Sequence, residues 1–160
     1  PHKRLQYLFN WKKCYTYCTR YTKPLSRVII IIPSSQNSQT MYPTHLDTTS
    51  KSYFVDVSRD KLEATYIGQG VHDHDVGFVR SNVLAPSDRA VFYFEVTVKN
   101  GGARDTITIG FTSKITKLDK MMNWYDGPLS YRAQDGFKLK NDSKGEPFGP
   151  PYTTTDTIGV

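Results

Sequence analysis

Val91-Phe92-Tyr93-Phe94-Glu95-Val96-Thr97-Val98 is followed by Lys99-Asn100-Gly101-Gly102-Ala103-Arg104-Asp105 and then by Thr106-Ile107-Thr108-Ile109-Gly110-Phe111. Apolar and polar side chains alternate in the first and third runs, which is the pattern of a strand buried on one face. The glycine-containing run between them predicts a hairpin with a loop longer than two residues. Two strands with apolar faces need a covering layer, so the hairpin predicts one wall of an antiparallel β-sandwich.

The composition is consistent with one all-β domain. The chain has 160 residues, of which 38% are hydrophobic and 13% aromatic, and this is enough apolar material for a core. Its 11 glycines, 9 prolines and many aromatic residues favour strands joined by turns. The most apolar run, Val28-Ile29-Ile30-Ile31-Ile32, is too short to cross a membrane and ends at Pro33. We therefore expect no membrane partner.

Positive charge is concentrated at one end of the chain. Residues 1–46 contain seven Lys and Arg residues and no Asp or Glu, whereas the remaining 14 basic and 15 acidic residues give a net charge of −1. Residues 33–52 are polar, lack periodicity and predict a linker. The sequence thus predicts a basic, aromatic-rich extension and linker over residues 1–41, and a β-sandwich over residues 42–160.

The basic extension has two interpretations. Its charges keep an exposed segment soluble, or they contact phosphates, in which case the candidate nucleic-acid-binding residues are Lys3, Arg4, Lys12, Lys13 and Arg20. Aromatic residues interleave with these bases, as in proteins that stack single-stranded nucleic acid, although the same spacing suits a buried face. A nucleic-acid-associated protein is the alternative function.

Catalytic, metal and cofactor sites are not predicted. Cys14 and Cys18 lack a second ligand pair and are interpreted as reduced thiols, which favours an intracellular protein. His72-Asp73-His74-Asp75 offers two histidines on one face of a strand, which is too few for a metal site. The chain contains neither a Gly-x-Ser-x-Gly nucleophile motif nor a phosphate-binding Gly-x-x-x-x-Gly-Lys loop. We therefore expect a protein that is not an enzyme.

Further strands are predicted on both sides of the central stretch. Short alternating or β-branched runs bounded by polar breaks occupy residues 53–57, 62–67, 76–81, 136–140 and 157–160. Residues 114–126 lack a period but are rich in large side chains, which suggests a loop folded onto the sandwich.

Five segments of the chain form one ordered set: Tyr66-Ile67-Gly68-Gln69-Gly70, Tyr93-Phe94-Glu95-Val96, Ile109-Gly110-Phe111, Asp135-Gly136 and the run from Gly149-Pro150-Pro151-Tyr152 to Thr157-Ile158-Gly159. Together they resemble the SPRY domain, and in particular its Ran-binding protein M subgroup. The resemblance covers roughly residues 42–160. It departs at Asn123-Trp124-Tyr125 and at Ser130-Tyr131-Arg132-Ala133, where the subgroup has Gly-Trp-Asp and Ser-Tyr-Gly-Tyr.

The resemblance implies a protein-interaction module. Similar SPRY domains bind short extended peptides through loops at one end of the sandwich, and some recruit partners into ubiquitin-ligase assemblies. Carried over by position, the candidate peptide-binding residues are Gln69, Val71, His72, Arg104, Asp105, Trp124 and Tyr125. Trp124 and Tyr125 have a second interpretation, in which they anchor their loop on the core. The implied protein is a scaffold or adaptor of the cytoplasm, the nucleus or both.

The resemblance also implies several strands after Val160, so we expect a sandwich that is incomplete at its C-terminus. Uncovered apolar area costs ~25 cal/mol per Å², and such a sandwich is therefore expected to be poorly soluble. The β-branched run from Val28 to Ile32 is expected to pair as a substitute strand.

Overall fold

The computed structural model describes residues 18–20, 27–31, 42–70, 75–86, 91–111, 129–140 and 144–160. Within these ranges the chain forms twelve strands and no helix. The strands are β1 (Cys18–Arg20), β2 (Arg27–Ile31), β3 (Leu46–Lys51), β4 (Val55–Val57), β5 (Glu63–Tyr66), β6 (Val76–Ser81), β7 (Glu95–Asn100), β8 (Ile107–Phe111), β9 (Leu129–Arg132), β10 (Phe137–Lys140), β11 (Glu146–Pro147) and β12 (Thr157–Gly159).

The strands form two antiparallel sheets. The larger sheet has the order β11-β10-β9-β8-β1-β6-β3, and the smaller has the order β12-β7-β2-β5-β4. One cluster of buried side chains joins the two sheets, because Val96 and Val98 of β7 pack in the same core as Ile107 and Ile109 of β8. The predicted all-β sandwich is confirmed.

Aromatic rings close the core near the end of β8. The rings of Phe94 and Phe111 meet edge to face with centroids 5.5 Å apart, and Phe92 packs against both. Such pairs stabilise a core beyond the area that they bury. Phe94, Val96 and Val98 are buried while Tyr93, Glu95 and Thr97 are half-buried, so the alternation predicted for this stretch is confirmed.

The predicted hairpin between these two runs is wrong. β7 lies in the smaller sheet between β12 and β2, whereas β8 lies in the larger sheet between β9 and β1. The intervening residues 101–106 therefore cross from one sheet to the other. Alternation specifies which face of a strand is buried but not which strand lies beside it, and here the two apolar faces meet across the core.

Four strands were not predicted, namely β1, β3, β9 and β11. β3 lies within the predicted linker, and its pairing with β6 is irregular, with a register shift between Leu46 and Lys51. β9 and β11 follow segments without a clear period. β3 was missed because its sequence is polar and lacks alternation: Leu46 is its single fully buried side chain.

Two strands of the predicted N-terminal extension lie inside the sheets. β1 pairs with both β6 and β8, and β2 pairs with both β5 and β7. The expected pairing of the Val28–Ile32 run is confirmed for Val28 to Ile31, while Ile32 is outside the described residues. Whether residues 42–160 fold independently of the extension stays a prediction.

Candidate functional site

Several connections meet at one end of the sandwich, which we call the loop end. It consists of residues 67–70, 101–106, 133–136 and 148–156. The strand register places them together: Arg27 pairs with both Asn100 and Thr65, Thr157 pairs with Thr97, and Thr108 pairs with Arg132. Loops at one end of a sandwich can vary without disturbing the strands, so they are suited to recognition.

A cleft of about 340 Å³ opens at the loop end. Three segments form it, namely the β7–β8 connection, the turn between β9 and β10, and the chain between β11 and β12. The residues that line it are Arg104, Asp105, Ala133, Gln134, Pro151, Tyr152 and Thr153. Its size is at the lower end of the range for small-ligand sites, which fits one or two side chains of a bound segment.

Hydrogen bonds join the three segments. The Thr153 hydroxyl donates to Asp105 Oδ1 over 2.7 Å, and the amide of Gly101 donates to Thr154 Oγ1 over 2.9 Å. The amide of Tyr152 donates to the carbonyl of Ala133 over 3.1 Å. The cleft is therefore held in shape without a ligand, which lowers the entropy lost on binding.

Tyr152 lines the cleft and packs against Tyr131 behind it. The Tyr152 hydroxyl donates to the carbonyl of Tyr131 over 2.8 Å, and the two rings have centroids 5.0 Å apart. The Tyr131 hydroxyl donates in turn to the carbonyl of Pro150. Burial, and then the negative charge of Asp156, raise the pKa of Tyr131, so its hydroxyl stays protonated and remains a donor.

Asp105 has an unusual backbone at the edge of the cleft. Its φ is 46°, in the left-handed region where Asp is tolerated better than most residues. Its carboxylate lies so close to Gly101 that a methyl group at position 101 would overlap Oδ1. Gly101 and Asp105 therefore fix the shape of the β7–β8 connection, and Thr153 is bonded to the same carboxylate.

The rim carries polar groups that are available to a ligand. Arg104, Gln134 and Pro151 are exposed. Among the described residues, neither Arg104 nor Gln134 has a hydrogen-bond or ion-pair partner. A guanidinium and a primary amide donate to carbonyl or carboxylate oxygens, the amide also accepts, and the proline ring offers an apolar surface. This set matches the backbone and side chains of a peptide.

The turn beside the rim is held by an ion pair. Arg132 Nε lies 2.9 Å from Asp135 Oδ1, and Arg132 Nη2 lies 2.5 Å from Asp135 Oδ2. The hydrogen bonds from Arg132 lower the pKa of Asp135. Arg132 is thus engaged within the turn, and the cation on the rim of the cleft is Arg104.

Two of the predicted peptide-binding residues line the cleft. Arg104 and Asp105 do so, whereas Gln69 is exposed at the loop end but does not line it. Val71, His72, Trp124 and Tyr125 are outside the described residues, as are Lys3, Arg4, Lys12 and Lys13 of the alternative site. Of that alternative set only the backbone of Arg20 is described, in β1.

Five lining residues were not predicted: Ala133, Gln134, Pro151, Tyr152 and Thr153. The sequence could have indicated three of them, because Pro151, Tyr152 and Thr153 belong to the run 149–159 that carries part of the SPRY resemblance. That run predicts a turn and a strand of the fold, and none of its residues is among the candidate peptide-binding residues. The place of Ala133 and Gln134 depends on the pairing of β9 with β10, which the sequence did not reveal.

The described part of the chain also bears on metal binding and on membrane crossing. It contains no group of three His, Cys, Asp or Glu side chains arranged to hold a metal ion. Of the stretch His72–Asp75, which was not predicted to bind metal, only Asp75 is described, and it is buried. No helix long and apolar enough to cross a membrane occurs in this part.

Known proteins similar to this chain are Ran-binding proteins. A Ran-binding protein M homolog of Arabidopsis thaliana is 40% identical over 118 residues, which cover 73% of this chain and 25% of the relative. The predicted resemblance to Ran-binding protein M is confirmed. The Ran-binding proteins 9/10 homolog of Drosophila melanogaster is 28% identical over 130 residues, covering 81% of this chain and 14% of the relative.

A vertebrate Ran-binding protein is also similar to this chain. Human Ran-binding protein 9 is 26% identical over 129 residues, covering 81% of this chain and 18% of the relative. The matched region thus spans about a quarter or less of the length of these relatives. No protein-family model matches the chain, and no solved structure matches it significantly. The names of these relatives denote Ran-binding proteins.

Proposed function

We propose that this chain is a non-catalytic interaction domain that binds a short extended segment of a partner protein in the loop-end cleft. The cleft itself carries the proposal. Its walls are bonded to one another, Tyr152 lines it, and its rim presents Arg104 and Gln134 without partners among the described residues. Similarity to Ran-binding proteins supports a protein ligand, because the names of those relatives describe protein binding.

The way the segment binds follows from the chemistry of the rim. Arg104 donates to a carboxylate or to backbone carbonyls of the bound segment, and Gln134 forms an amide pair with its backbone. Pro151 and the edge of Tyr152 receive an apolar side chain. Arginine and aromatic residues dominate the energetics of most protein interfaces, so Arg104 is the expected hot spot.

The test starts from a peptide library selected on the immobilised full-length chain. Calorimetry then measures the affinity of one selected peptide for the unaltered chain and for the Arg104→Ala variant. Loss of a charged hydrogen bond costs about 1.5–3 kcal/mol, so the substitution is expected to weaken binding roughly ten- to hundredfold. Because the relatives are named as Ran-binding proteins, Ran is the first intact protein to assay in the same way.

Arg59→Ala is the matched control. Arg59 is also an exposed arginine, but it lies in the turn between β4 and β5, at the opposite end of the sandwich. Its removal makes the same change in net charge and should leave peptide affinity within about twofold. Equal losses in the two variants would show that general electrostatic attraction, rather than the cleft, binds the peptide.

The wider role is proposed on the resemblance alone. A domain of this kind recruits its partner to a larger scaffold, including ubiquitin-ligase assemblies, in the cytoplasm, the nucleus or both. Affinity purification of the tagged chain, with Arg104→Ala as the comparison, tests the role: ligase subunits lost from the variant would support it. Imaging of the tagged chain tests the location.

A further inference from the structure

The two strands nearest the N-terminus occupy interior positions in both sheets. β1 lies between β6 and β8 in the larger sheet, and β2 lies between β5 and β7 in the smaller one. Without them each sheet would be split into two parts with facing, unpaired edges. Exposed strand edges of this kind pair readily with any matching strand. The sandwich therefore contains two slots, each of which requires an added strand.

The pairing register defines which kind of strand fits the slot between β5 and β7 in the smaller sheet. Val28 and Ile30 pair with Val98 and Val96, whose side chains are fully buried in the core. The alternate position, Ile29, pairs with Thr97 and Glu63, which are half-buried. The slot thus takes an extended β-branched segment with apolar residues at every second position, and Arg27–Ile31 provides it.

The strands that fill the slots are joined to the rest of the described domain on one side only. Six residues separate β1 from β2, and fourteen residues separate β2 from β3. Thr44 and His45 are hydrogen-bonded to Asn82, so the twelve residues between Ile31 and Thr44 set the reach, which is up to about 40–43 Å and enough to reach a neighbouring molecule. When one copy donates such an element to another, the contacts are the same as in a single chain, so exchange costs little free energy.

We propose that the slots between β5 and β7 and between β6 and β8 are strand-acceptor sites, and that a second copy of this chain fills them with its own β2 and β1. The exchanged dimer and the closed monomer then form the same sheets, and protein concentration decides between them. The proposal concerns self-association through the sheets and is independent of the loop-end cleft.

An engineered disulfide tests the proposal in the full-length chain. The amides of Val98 and Phe94 donate to the carbonyls of Asp156 and Val160, which flank β12. Backbone groups of every second residue in a strand point to the same side, so the amide and carbonyl of Val96 also face β12. Its pairing with Ile30 on the other side is consequently a non-hydrogen-bonded pair, in which side chains lie closest. Cysteines at positions 30 and 96 are therefore well placed to form a disulfide.

Both native cysteines, Cys14 and Cys18, are first replaced by Ala. One full-length chain then carries Ile30→Cys and another carries Val96→Cys. The two are mixed at high concentration, partly unfolded in mild urea, returned to buffer and oxidised. The expected product is a covalent dimer containing one chain of each kind, in a yield that rises with concentration. Mass spectrometry of the digested dimer identifies the 30–96 linkage.

Two further chains complete the design. A mixture of the Ile30→Cys chain with a Lys140→Cys chain is the control, because Lys140 is exposed on β10 of the other sheet. The double variant Ile30→Cys/Val96→Cys should close within one chain when dilute. Closure in the double variant without a mixed dimer at any concentration would overturn exchange between copies. If neither the double variant nor the mixture of single variants forms the 30–96 disulfide, the strand-acceptor sites themselves are overturned.

Discussion

Gly101 and Asp105 determine the shape of the β7–β8 connection, which forms one wall of the cleft. A side chain at position 101 would overlap the carboxylate of Asp105, which also accepts the hydroxyl of Thr153. We expect Gly101→Ala to lower the free energy of unfolding by about 1–3 kcal/mol, the usual cost of overpacking. Urea unfolding followed by circular dichroism measures this change.

A second substitution isolates the cause. Asp105→Gly removes the carboxylate and suits the positive φ at that position. In that background Gly101→Ala should cost well under half of what it costs in the unaltered chain, since the overlapping atom is absent. Equal costs in the two backgrounds would show that Gly101 is needed for another reason.

The Asp135–Arg132 pair gives a pH dependence with a defined sign. Arg132 lowers the pKa of Asp135 below its ordinary value near 3.8, so the charged pair stabilises the fold above that pH. The contribution is lost as the pH falls below 3.8 through the lowered pKa. Because the pair is partly exposed, its value is at most about 1 kcal/mol.

Asp135→Asn should therefore lower the melting temperature at pH 7 and make the loss of stability below pH 4 shallower. The control is Asp56→Asn, which removes an exposed carboxylate from β4. Differential scanning calorimetry between pH 2.5 and pH 7 provides both curves. A difference between Asp135→Asn and the unaltered chain that stays constant down to pH 2.5 would contradict the ion-pair account.

At the scale of single elements, β2 makes the clearest prediction. Ile30 pairs with the fully buried Val96, whereas Ile29 pairs with Thr97 and with the carboxylate-bearing Glu63. Ile30→Lys should cost about 3 kcal/mol of stability, because it brings an unpaired charge to the core side of the sheet. Ile29→Lys should cost less than about 1 kcal/mol, since Thr97 and Glu63 beside it are half-buried and the Glu63 carboxylate, which already pairs with Lys99, can be shared with a second amine.

Thermal unfolding of these two full-length variants provides the comparison. The two substitutions make the same chemical change one residue apart, so any difference reports which face of β2 is buried. A larger loss from Ile29→Lys would show that the strand is shifted by one residue, because such a shift moves every side chain to the other face.

The strands also show how far the sequence could predict this fold. The extent of β6 was predicted at both ends, and the alternation of β7 was correct, because both follow from local periodicity. The partners of β7 and β8 were not predictable in this way, since pairing depends on contacts between residues distant in sequence. The same limit applies to the cleft, where Arg104 and Asp105 were predicted and Gln134 was not.

At the scale of the whole molecule, the N-terminal segment contributes interior strands to both sheets. The sequence predicted a domain boundary near residue 42. In the structure β1 and β2 occupy interior positions of both sheets. We therefore expect a variant lacking residues 1–41 to lose its cooperative melt and to bind the dye ANS, because two split sheets expose apolar surface.

Scanning calorimetry and dye fluorescence on the full chain and on this variant test that expectation. The full chain should melt in a sharper transition than the variant and should bind less dye. A cooperative melt of residues 42–160 without dye binding would support the predicted boundary instead, and would show that the two N-terminal strands are dispensable.

Hydrogen–deuterium exchange tests the proposed function of the whole domain most directly. The full-length chain is compared with and without a selected peptide, and backbone exchange is followed segment by segment. The account predicts slower exchange in residues 101–106, 133–136 and 151–156, with no change in the turn from Ser58 to Lys61 at the opposite end. Protection that is confined to that turn, or that bypasses the three loop-end segments, would contradict it.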